Sequence, residues 1–296
     1  MINPRPGLRW GIEQRLEFIE FRLFWEGAIN RADLIDFFGV SVPQASKDLS
    51  HYQELAPENM AYDTSLKRYV AAEHFEPRFL KPDAGRYLSQ LASLGRGLIS
   101  ADEAWFANAP AFDVIVRPKR IIDTGILRAL LQVVREQKSV DILYQSLNPE
   151  KPKPEWRKVT PHAFCFDGLR WHVRSYCHAR KAFRDFLLPR IAELGEQGDP
   201  GLLGDADQPW HEIYHLKLKP HPKLSPEQQH AIAADYGMTD GIFELPMRLA
   251  MLFYFKKHTG LDYKETEKDP QQQHIVMADP ESVREAERRA NLPPVH

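Results

Sequence analysis

Three stretches of the chain carry side chains whose type and spacing could do chemistry. The first, His211-Glu212-Ile213-Tyr214-His215, spells HExxH. On a helix its two histidines would stand one turn apart and converge on a zinc ion while the glutamate activates a water. Here Trp210, Glu212, Tyr214, Leu216 and Leu218 alternate with His211, Ile213, His215, Lys217 and Lys219 before Pro220, which is the period of a strand. At ~3.3 Å per residue a strand separates the two imidazoles by about 13 Å, too far to share a metal. The expectation is a strand without a metal site. No nucleophile and base stand at recognisable spacing and no glycine-rich phosphate loop is present, so neither catalysis nor a cofactor is expected.

The second stretch, Arg170-Trp171-His172-Val173-Arg174-Ser175-Tyr176, sets bases beside aromatics. From Trp156 to Arg190 there are eight Lys and Arg against two acids, in a chain whose overall formal charge is only -2. Strand alternation places Arg170, His172, Arg174 and Tyr176 on one face and Trp171, Val173 and Ser175 on the other, with Trp171 and Val173 suited to a core. Arg174 with Tyr176, joined by Arg184 from the next strand, would form a concave patch for a phosphate and a stacked base. The alternative is a solvated charged face, although an ordinary surface mixes both signs.

The third set lies on a short helix. Ser41-Val42-Pro43-Gln44 is a capping-box pattern with proline in the first turn. Along the helix it opens, through about Leu55, Ala45, Leu49 and Tyr52 share one face and leave Gln44, Lys47, Ser50 and His51 on the other. Glutamine can read adenine bidentately, serine and lysine can reach base edges or phosphates, and the helix N-terminus favours a phosphate.

These side chains need elements to hold them. Arg15 to Trp25 has the apolar spacing of an amphipathic helix, and a short helix over Arg31 to Phe38 stops at Gly39. With the helix after Ser41 they make a helix-turn-helix, and Met60 to Asp63 with Arg68 to Ala72 flank Thr64 to Lys67 as a wing carrying Lys67 and Arg68. Small three-helix units are common, and residues 1–80 hold nine Lys and Arg against twelve Asp and Glu. Phosphate neutralisation supplies much of the affinity for DNA, so a lone copy should bind weakly and a dimer on two half-sites is expected.

Asp83 to Leu98 and Asp123 to Glu136 are helical in pattern, the latter with a stripe of Leu127, Leu130, Leu131 and Val134. From Val140 the texture changes to short strands: Val140–Tyr144, Arg157–Pro161, Ala163–Phe166, Leu169–Tyr176 and Phe183–Leu188, with Gly168 in a tight turn. A small curved sheet or barrel follows. After the strand containing His215 come a capped helix over Ser225 to Tyr236, a strand over Gly241 to Leu245, a helix over Leu249 to His258 and a charged helix over Glu281 to Asn291. His258 reads as a last-turn histidine near the helix dipole. Lys151-Pro152-Lys153-Pro154 looks like an extended connection.

At 296 residues and 43% hydrophobic content the chain has room for two or three small domains. No apolar run reaches the ~20 residues of a membrane helix, and Met1 to Gly11 lacks a signal-peptide core, so no membrane partner and a cytoplasmic address are expected. Cys165 and Cys177 show no CxxC spacing, which fits reduced core residues.

Gly168-Leu169-Arg170-Trp171-His172-Val173-Arg174-Ser175-Tyr176, followed by Arg180 and by Phe183-Arg184-Asp185-Phe186-Leu187-Leu188-Pro189-Arg190-Ile191, resembles the WYL domain, named for a Trp-Tyr-Leu triplet that here reads Trp171-His172-Val173. With Tyr144-Gln145-Ser146 ahead of it and the winged helix-turn-helix before that, the chain is similar to the WYL-domain transcriptional regulators of phage-defence islands, the BrxR and CapW group. The resemblance implies an α+β multidomain protein: a winged helix-turn-helix over 1–80, a helical connector over 81–137, an Sm/SH3-like β-barrel WYL domain over 138–205 and a small α+β dimerisation domain over 206–296. It implies a homodimeric repressor that binds an inverted repeat in double-stranded DNA, with a WYL pocket sensing an anionic nucleotide or single-stranded nucleic acid. By matching positions, the pocket candidates are Tyr144, Ser146, His162, Arg174, Tyr176, Arg184 and Arg190. The DNA candidates are Ser41, Gln44, Lys47, Ser50, His51, Lys67 and Arg68. Two other readings stay open: a WYL module that regulates a partner enzyme or binds RNA, which the acidic first domain favours, and a metal-dependent hydrolase.

Overall fold

The computed structural model of the protein describes residues 10–115, 118 and 120–290. The chain separates into two compact units, Met1–Arg117 and Pro118–His296. The segment ahead of Trp10, read for a leader, lies outside the described residues.

In the first unit α1 (Trp10–Glu26) turns Leu16, Phe18, Ile19 and Leu23 into the core. A two-residue strand β1 (Ala28–Ile29) leads to α2 (Arg31–Phe38), where Asn30 accepts the Asp33 N–H and Asp33 accepts that of Asn30, a complete capping box. The helix stops at Gly39, whose φ of 64° is the left-handed conformation a glycine adopts without cost. Next comes α3 (Val42–Leu55), which buries Ala45, Leu49 and Tyr52 as their spacing predicts. The hairpin β2 (Met60–Asp63) and β3 (Arg68–Ala71) forms as expected, and β1 joins it in the order β1-β3-β2. A strand as short as β1 has no periodic signal to read. Beyond the wing, α4 (Ala84–Gly95) packs Leu91 with Phe21, Leu80, Ala104 and Phe106 in a second apolar cluster.

One carboxylate ties this unit together. Glu20, on α1 and fully buried, accepts the main-chain N–H groups of Arg78 (2.8 Å), Phe79 (2.6 Å) and Leu80 (2.6 Å) and the Tyr52 hydroxyl (3.1 Å). Burial pushes the Tyr52 phenol well above its ordinary value. Charge-assisted bonds of this kind substitute for the water both partners lose.

In the second unit α5 (Thr124–Glu136) lays Leu130 and Val133 on a sheet of β4 (Ser139–Tyr144), β5 (Glu155–Phe166), β6 (Trp171–Cys177), β7 (Ala182–Leu187) and β8 (Ile191–Gly198). The order is β7-β6-β5-β4-β8, antiparallel throughout. Thus the helical segment read as one connector is shared, with α4 in the first core and α5 in the second. The expected barrel does not close, because β7 and β8 stay at opposite edges of the ladder. Two register shifts in the β4–β8 pairing, after Val140 and after Leu143, leave residues unpaired and add twist there.

Two further expectations are corrected here. The strands expected over Arg157–Pro161 and Ala163–Phe166 are one strand, β5, in which Pro161 faces Ser175 and Ala163 faces Arg174, so that His162 is the extra residue of a bulge. Alternation also fails along β6, where His172, Val173, Arg174 and Ser175 are all buried while Trp171 is 46% exposed. Later segments cover the second face of β6, and Trp171, its first residue, packs at a tilt on Phe166 (5.1 Å) at the turn end of the hairpin instead of entering the core.

Those later segments are α6 (Gln208–His211), β9 (Ile213–Pro220), α7 (Pro226–Asp235), β10 (Phe243–Arg248), α8 (Leu252–Thr259), β11 (Ile275–Met277) and α9 (Pro280–Arg289). A sheet in the order β10-β9-β11 packs Leu216, Leu218 and Met277 against Leu252 and Val283. The strand expected from Trp210 begins only at Ile213, since Pro209 suits the first turn of a helix and 208–211 coil into α6. Asn291, the expected end of the last helix, lies outside the described residues. Among those described, no helix is long and apolar enough to cross a membrane.

The Glu20 cluster makes a stability prediction. Glu20→Gln turns an amide NH2 toward donors and should cost on the order of 3 kcal/mol, against about 1 kcal/mol for Tyr52→Phe. Urea titration of the full chain reads both, and equal midpoints for wild type and Glu20→Gln would contradict the assignment.

Candidate functional site

In the first unit the polar face of α3 is positioned by its cap. Ser41 Oγ accepts the Gln44 N–H at 3.4 Å, but the Gln44 side chain does not reach back to complete the box. Its Nε2 donates to Asp48 Oδ1 at 2.9 Å, one turn further on. Asp48 is 3% exposed and receives Arg15 Nε at 2.6 Å, so the buried face of α3 contains a carboxylate that apolar spacing did not show. Lys47 and Ser50 are exposed, and His51 lies 3.7 Å from Glu54. Val42, in the first turn, is 51% exposed. In the wing, Asp63 Oδ1 accepts the N–H groups of Ser65 and Leu66, Lys67 takes a φ of 52°, and Arg68 faces Asp63 across the hairpin. The structure thus places Ser41, Gln44, Lys47, Ser50 and His51 on one helix and Lys67 and Arg68 at the wing tip.

In the second unit a cleft of about 520 Å³ opens between β6, β7 and the segments that follow the sheet. Arg174, Arg184 and Asp185 line it from the sheet, Asp207 and Glu212 from around α6, Phe253 and Tyr254 from α8, and Arg289 from α9. Arg174 is 4% exposed, and its fork is fully engaged: Nε and Nη2 donate to Asp207 at 2.5 and 2.9 Å, and Nη1 donates to Asp185 at 3.1 Å. Burial opposes the charge on this guanidinium, but the two carboxylates outweigh burial and hold its pKa above the ordinary range. Burial likewise works to raise the Asp207 carboxyl, yet His162 (2.9 Å) and Arg174 keep it below the usual carboxylate range. Tyr254 donates to Asp185 at 3.0 Å, and burial, with Asp185 beside it, drives that phenol well up.

The expected patch of Arg174, Tyr176 and Arg184 is therefore not a row of free groups. Arg184 alone is exposed, without a hydrogen bond or ion pair from its side chain among the described residues. The Tyr176 ring packs on His178 and Phe183, and a Cβ on Gly201 would strike it. Tyr144 is a core residue whose hydroxyl accepts the Leu187 N–H and whose ring meets Phe186. Ser146 accepts the Asn148 N–H in the following loop, and Arg190 gives its carbonyl to Gln145 N. These four do not line the cleft: Tyr144 points into the core, Ser146 lies in the loop after β4, Arg190 in the short turn before β8, and Tyr176 further along β6; Arg174 and Arg184 do line it, with His162 behind Asp207.

A second carboxylate orders the β5–β6 turn. Asp167 accepts the N–H groups of Leu169 (2.8 Å) and Arg170 (2.7 Å), Arg170 Nε (2.9 Å) and His172 Nε2 (3.0 Å), with His258 Nε2 at 3.8 Å. Burial opposes ionisation here too, but the bonds from His172, the backbone and Arg170 hold the carboxyl at about 2. His258 does lie in the last turn of α8, as its position suggested, but it faces the β5–β6 turn. The HExxH histidines lie in different elements: His211 Nε2 meets the Gly204 carbonyl, His215 Nδ1 meets Glu244, and Glu212 takes the Arg289 guanidinium. Among the described residues no group of three or more His, Cys, Asp or Glu side chains is arranged to hold a metal ion.

Family models match along the chain in the same order: the BrxR transcriptional regulator winged helix-turn-helix domain over 11–93, the WYL domain over 125–195 and the BrxR transcriptional regulator C-terminal dimerization domain over 213–283. A curated protein of Stenotrophomonas maltophilia, the DNA-binding transcriptional repressor CapW, is 41% identical over 94% of this chain and 93% of its own. The chain belongs to the CapW family. CapW repressors of Escherichia coli (strain KTE188) and Pseudomonas aeruginosa are each 36% identical, over 94% and 95% of this chain and 93% of theirs. In this CapW-family chain the winged helix is the α1–β3 assembly with α4, and the WYL domain is the open five-stranded sheet with α5.

Sequence pattern singled out Arg174 and Arg184, which line the cleft, but not Asp207 or Tyr254, because 33 and 80 residues separate them from Arg174 and no local period connects them. The Asp167 cluster sets an acid limb. Its folded carboxyl titrates at about 2 instead of the ordinary 3.8, so its contribution is complete above pH ~4 and is lost as pH falls through about 2. Asp167→Asn should lower stability near neutrality and flatten the acid limb between those limits. Urea midpoints across that range check it, and a parallel pH dependence in both proteins would contradict it.

Proposed function

We propose that this chain is a homodimeric, sequence-specific transcriptional repressor that binds an inverted repeat in double-stranded DNA at its own operon, one of phage defence, and that its WYL domain responds to an anionic nucleotide or single-stranded nucleic acid. The observation that carries the DNA reading is the capped N-terminal half of α3, bearing Gln44, Lys47 and Ser50, followed by a wing with Lys67 and Arg68 at its tip, in a chain whose relatives are named DNA-binding transcriptional repressors. A helix N-terminus with polar side chains suits the major groove, and two copies would supply what one acidic domain lacks. The match to a dimerization domain supports that pairing.

The effector reading rests on the cleft. Arg184 offers a free guanidinium one residue from Asp185, which Arg174 already holds. An anion seated there would compete with Asp185 and Asp207 for Arg174 and so loosen the Gly204–His211 segment and α8, giving ligand binding a mechanical consequence. The acidic count of the first domain favours a second reading, in which the WYL domain acts on a partner enzyme or RNA.

Two measurements test these statements. Purified protein should bind the duplex upstream of its own gene more tightly than shuffled duplex, and Lys47→Ala should weaken both several-fold while reducing the salt slope by about one. Equal binding to both duplexes would favour the second reading. Arg184→Ala should leave operator affinity unchanged but remove any shift in it caused by short single-stranded oligonucleotides or mononucleotides. A shift that survives the substitution would move the effector out of this cleft.

A further inference from the structure

Gln44 lies at the edge of the polar face of α3, and its amide is not free to turn. A side-chain amide has a donor end and an acceptor end, and rotation by half a turn exchanges them. Asp48, one helical turn on, presents a carboxylate that only accepts, so the Nε2 end of Gln44 faces it at 2.9 Å. Reversal would set Oε1 against Oδ1, two acceptors without a proton between them. Asp48 itself is fixed from the other side, where Arg15 of α1 donates through Nε at 2.6 Å and Nη2 at 3.3 Å. Both partners are largely withdrawn from water, so the pair holds one geometry and is little screened.

We propose that Arg15 and Asp48 are positioning residues that fix which end of the Gln44 amide is offered to DNA, and so set an amino-bearing base, adenine or cytosine, as the partner of Gln44 Oε1. In the major groove adenine N6 and cytosine N4 donate, whereas guanine O6 and thymine O4 accept. An amide locked with its oxygen away from Asp48 discriminates between these classes. With an amide in place of the carboxylate at position 48, Arg15 holds its oxygen, its NH2 faces Gln44 and draws Oε1 instead of Nε2, and the preference for amino-bearing bases falls. The inference rests on the proposed contact of Gln44 with DNA, and the experiment separates the two.

The full-length protein and its variants are each used to select from a pool of duplexes with a randomised central segment at one salt concentration. Wild type should prefer adenine or cytosine over guanine or thymine at one position of each half-site, and Gln44→Ala should lose preference at that position alone. Asp48→Asn should reduce the amino-over-keto preference there roughly tenfold and leave the other positions unchanged, as expected for one base contact. In the double variant the loss should be no greater than in Gln44→Ala, because both act through one side chain. Should Asp48→Asn fold poorly, Arg15→Met combined with Asp48→Leu removes the buried pair while filling its space and carries the same expectation. If Gln44→Ala leaves every position unchanged, the contact itself is wrong, and the inference falls with it. If Gln44→Ala erases the preference while the Asp48 variants keep it, the contact stands and the positioning role is overturned.

Discussion

The second unit is organised by the need to compensate one guanidinium. Arg174 stands in the middle of β6 with water removed from almost all of it. Desolvating such a group costs several kcal/mol, and only well-placed opposite charge makes the position tenable. Asp185 comes from the neighbouring strand β7, opposite Arg174 in the register, so the sheet itself delivers it. Asp207 comes from the start of α6, and Tyr254 of α8 completes the second oxygen of Asp185. Covering β6 with these segments and compensating Arg174 are thus the same requirement. A buried pair of this kind is weak evidence for net stability, since apolar residues could fill the space, but it discriminates against arrangements that leave the charge unpaired.

That requirement also explains what could be read in advance. Helices α2, α3 and α5 were legible in extent because their signals are local: Ser41 caps, Gly39 stops, and Leu127 and Leu130 repeat at helical spacing, although α5 buries Val133 and leaves Leu131, placed in its apolar stripe, 44% exposed. The hairpin of the wing was legible for the same reason. The sheet was legible in its parts and not in its assembly. His162 interrupts β5 by a bulge that no pattern of apolar residues announces, and β6 reads as an alternating strand although both its faces are covered. Charge counting over Trp156 to Arg190 found a strong positive excess, yet Asp207, which neutralises its central member, lies beyond that window. The WYL-like motif around Trp171 pointed to the right family while the core assignment of Trp171 itself failed.

The acidic count of the first unit needs the same correction. Glu20 is spent on three main-chain donors, Asp48 on Arg15, and Asp33 on the Asn30 cap and Arg22. Glu26 accepts from Arg22 and from the N–H groups of Ala107 and Asn108. These are internal fasteners, largely removed from solvent, and they contribute little to the field that an approaching polyanion meets. Lys47, Lys67 and Arg68, by contrast, project from exposed positions on α3 and the wing. A net charge summed over sequence treats both kinds alike, although only exposed charges steer association.

The two units therefore use carboxylates in the same way and to different ends. Asp48 holds an amide at the polar face of α3, while Asp207 and Asp185 hold a guanidinium beneath a cleft. In the cleft, engagement of Arg174 from both sides means that an entering anion gains little by simply adding to an open positive patch. Its gain comes from replacing a carboxylate already in place, and the displaced carboxylate belongs to a segment or strand that must then move or find water. Under the proposed effector role, affinity and conformational change would be two parts of one exchange, and a ligand too weakly charged to displace Asp207 or Asp185 would occupy the cleft without consequence for the rest of the chain. In that proposed role Arg184, exposed and unengaged among the described residues, would let such a ligand dock before the exchange begins.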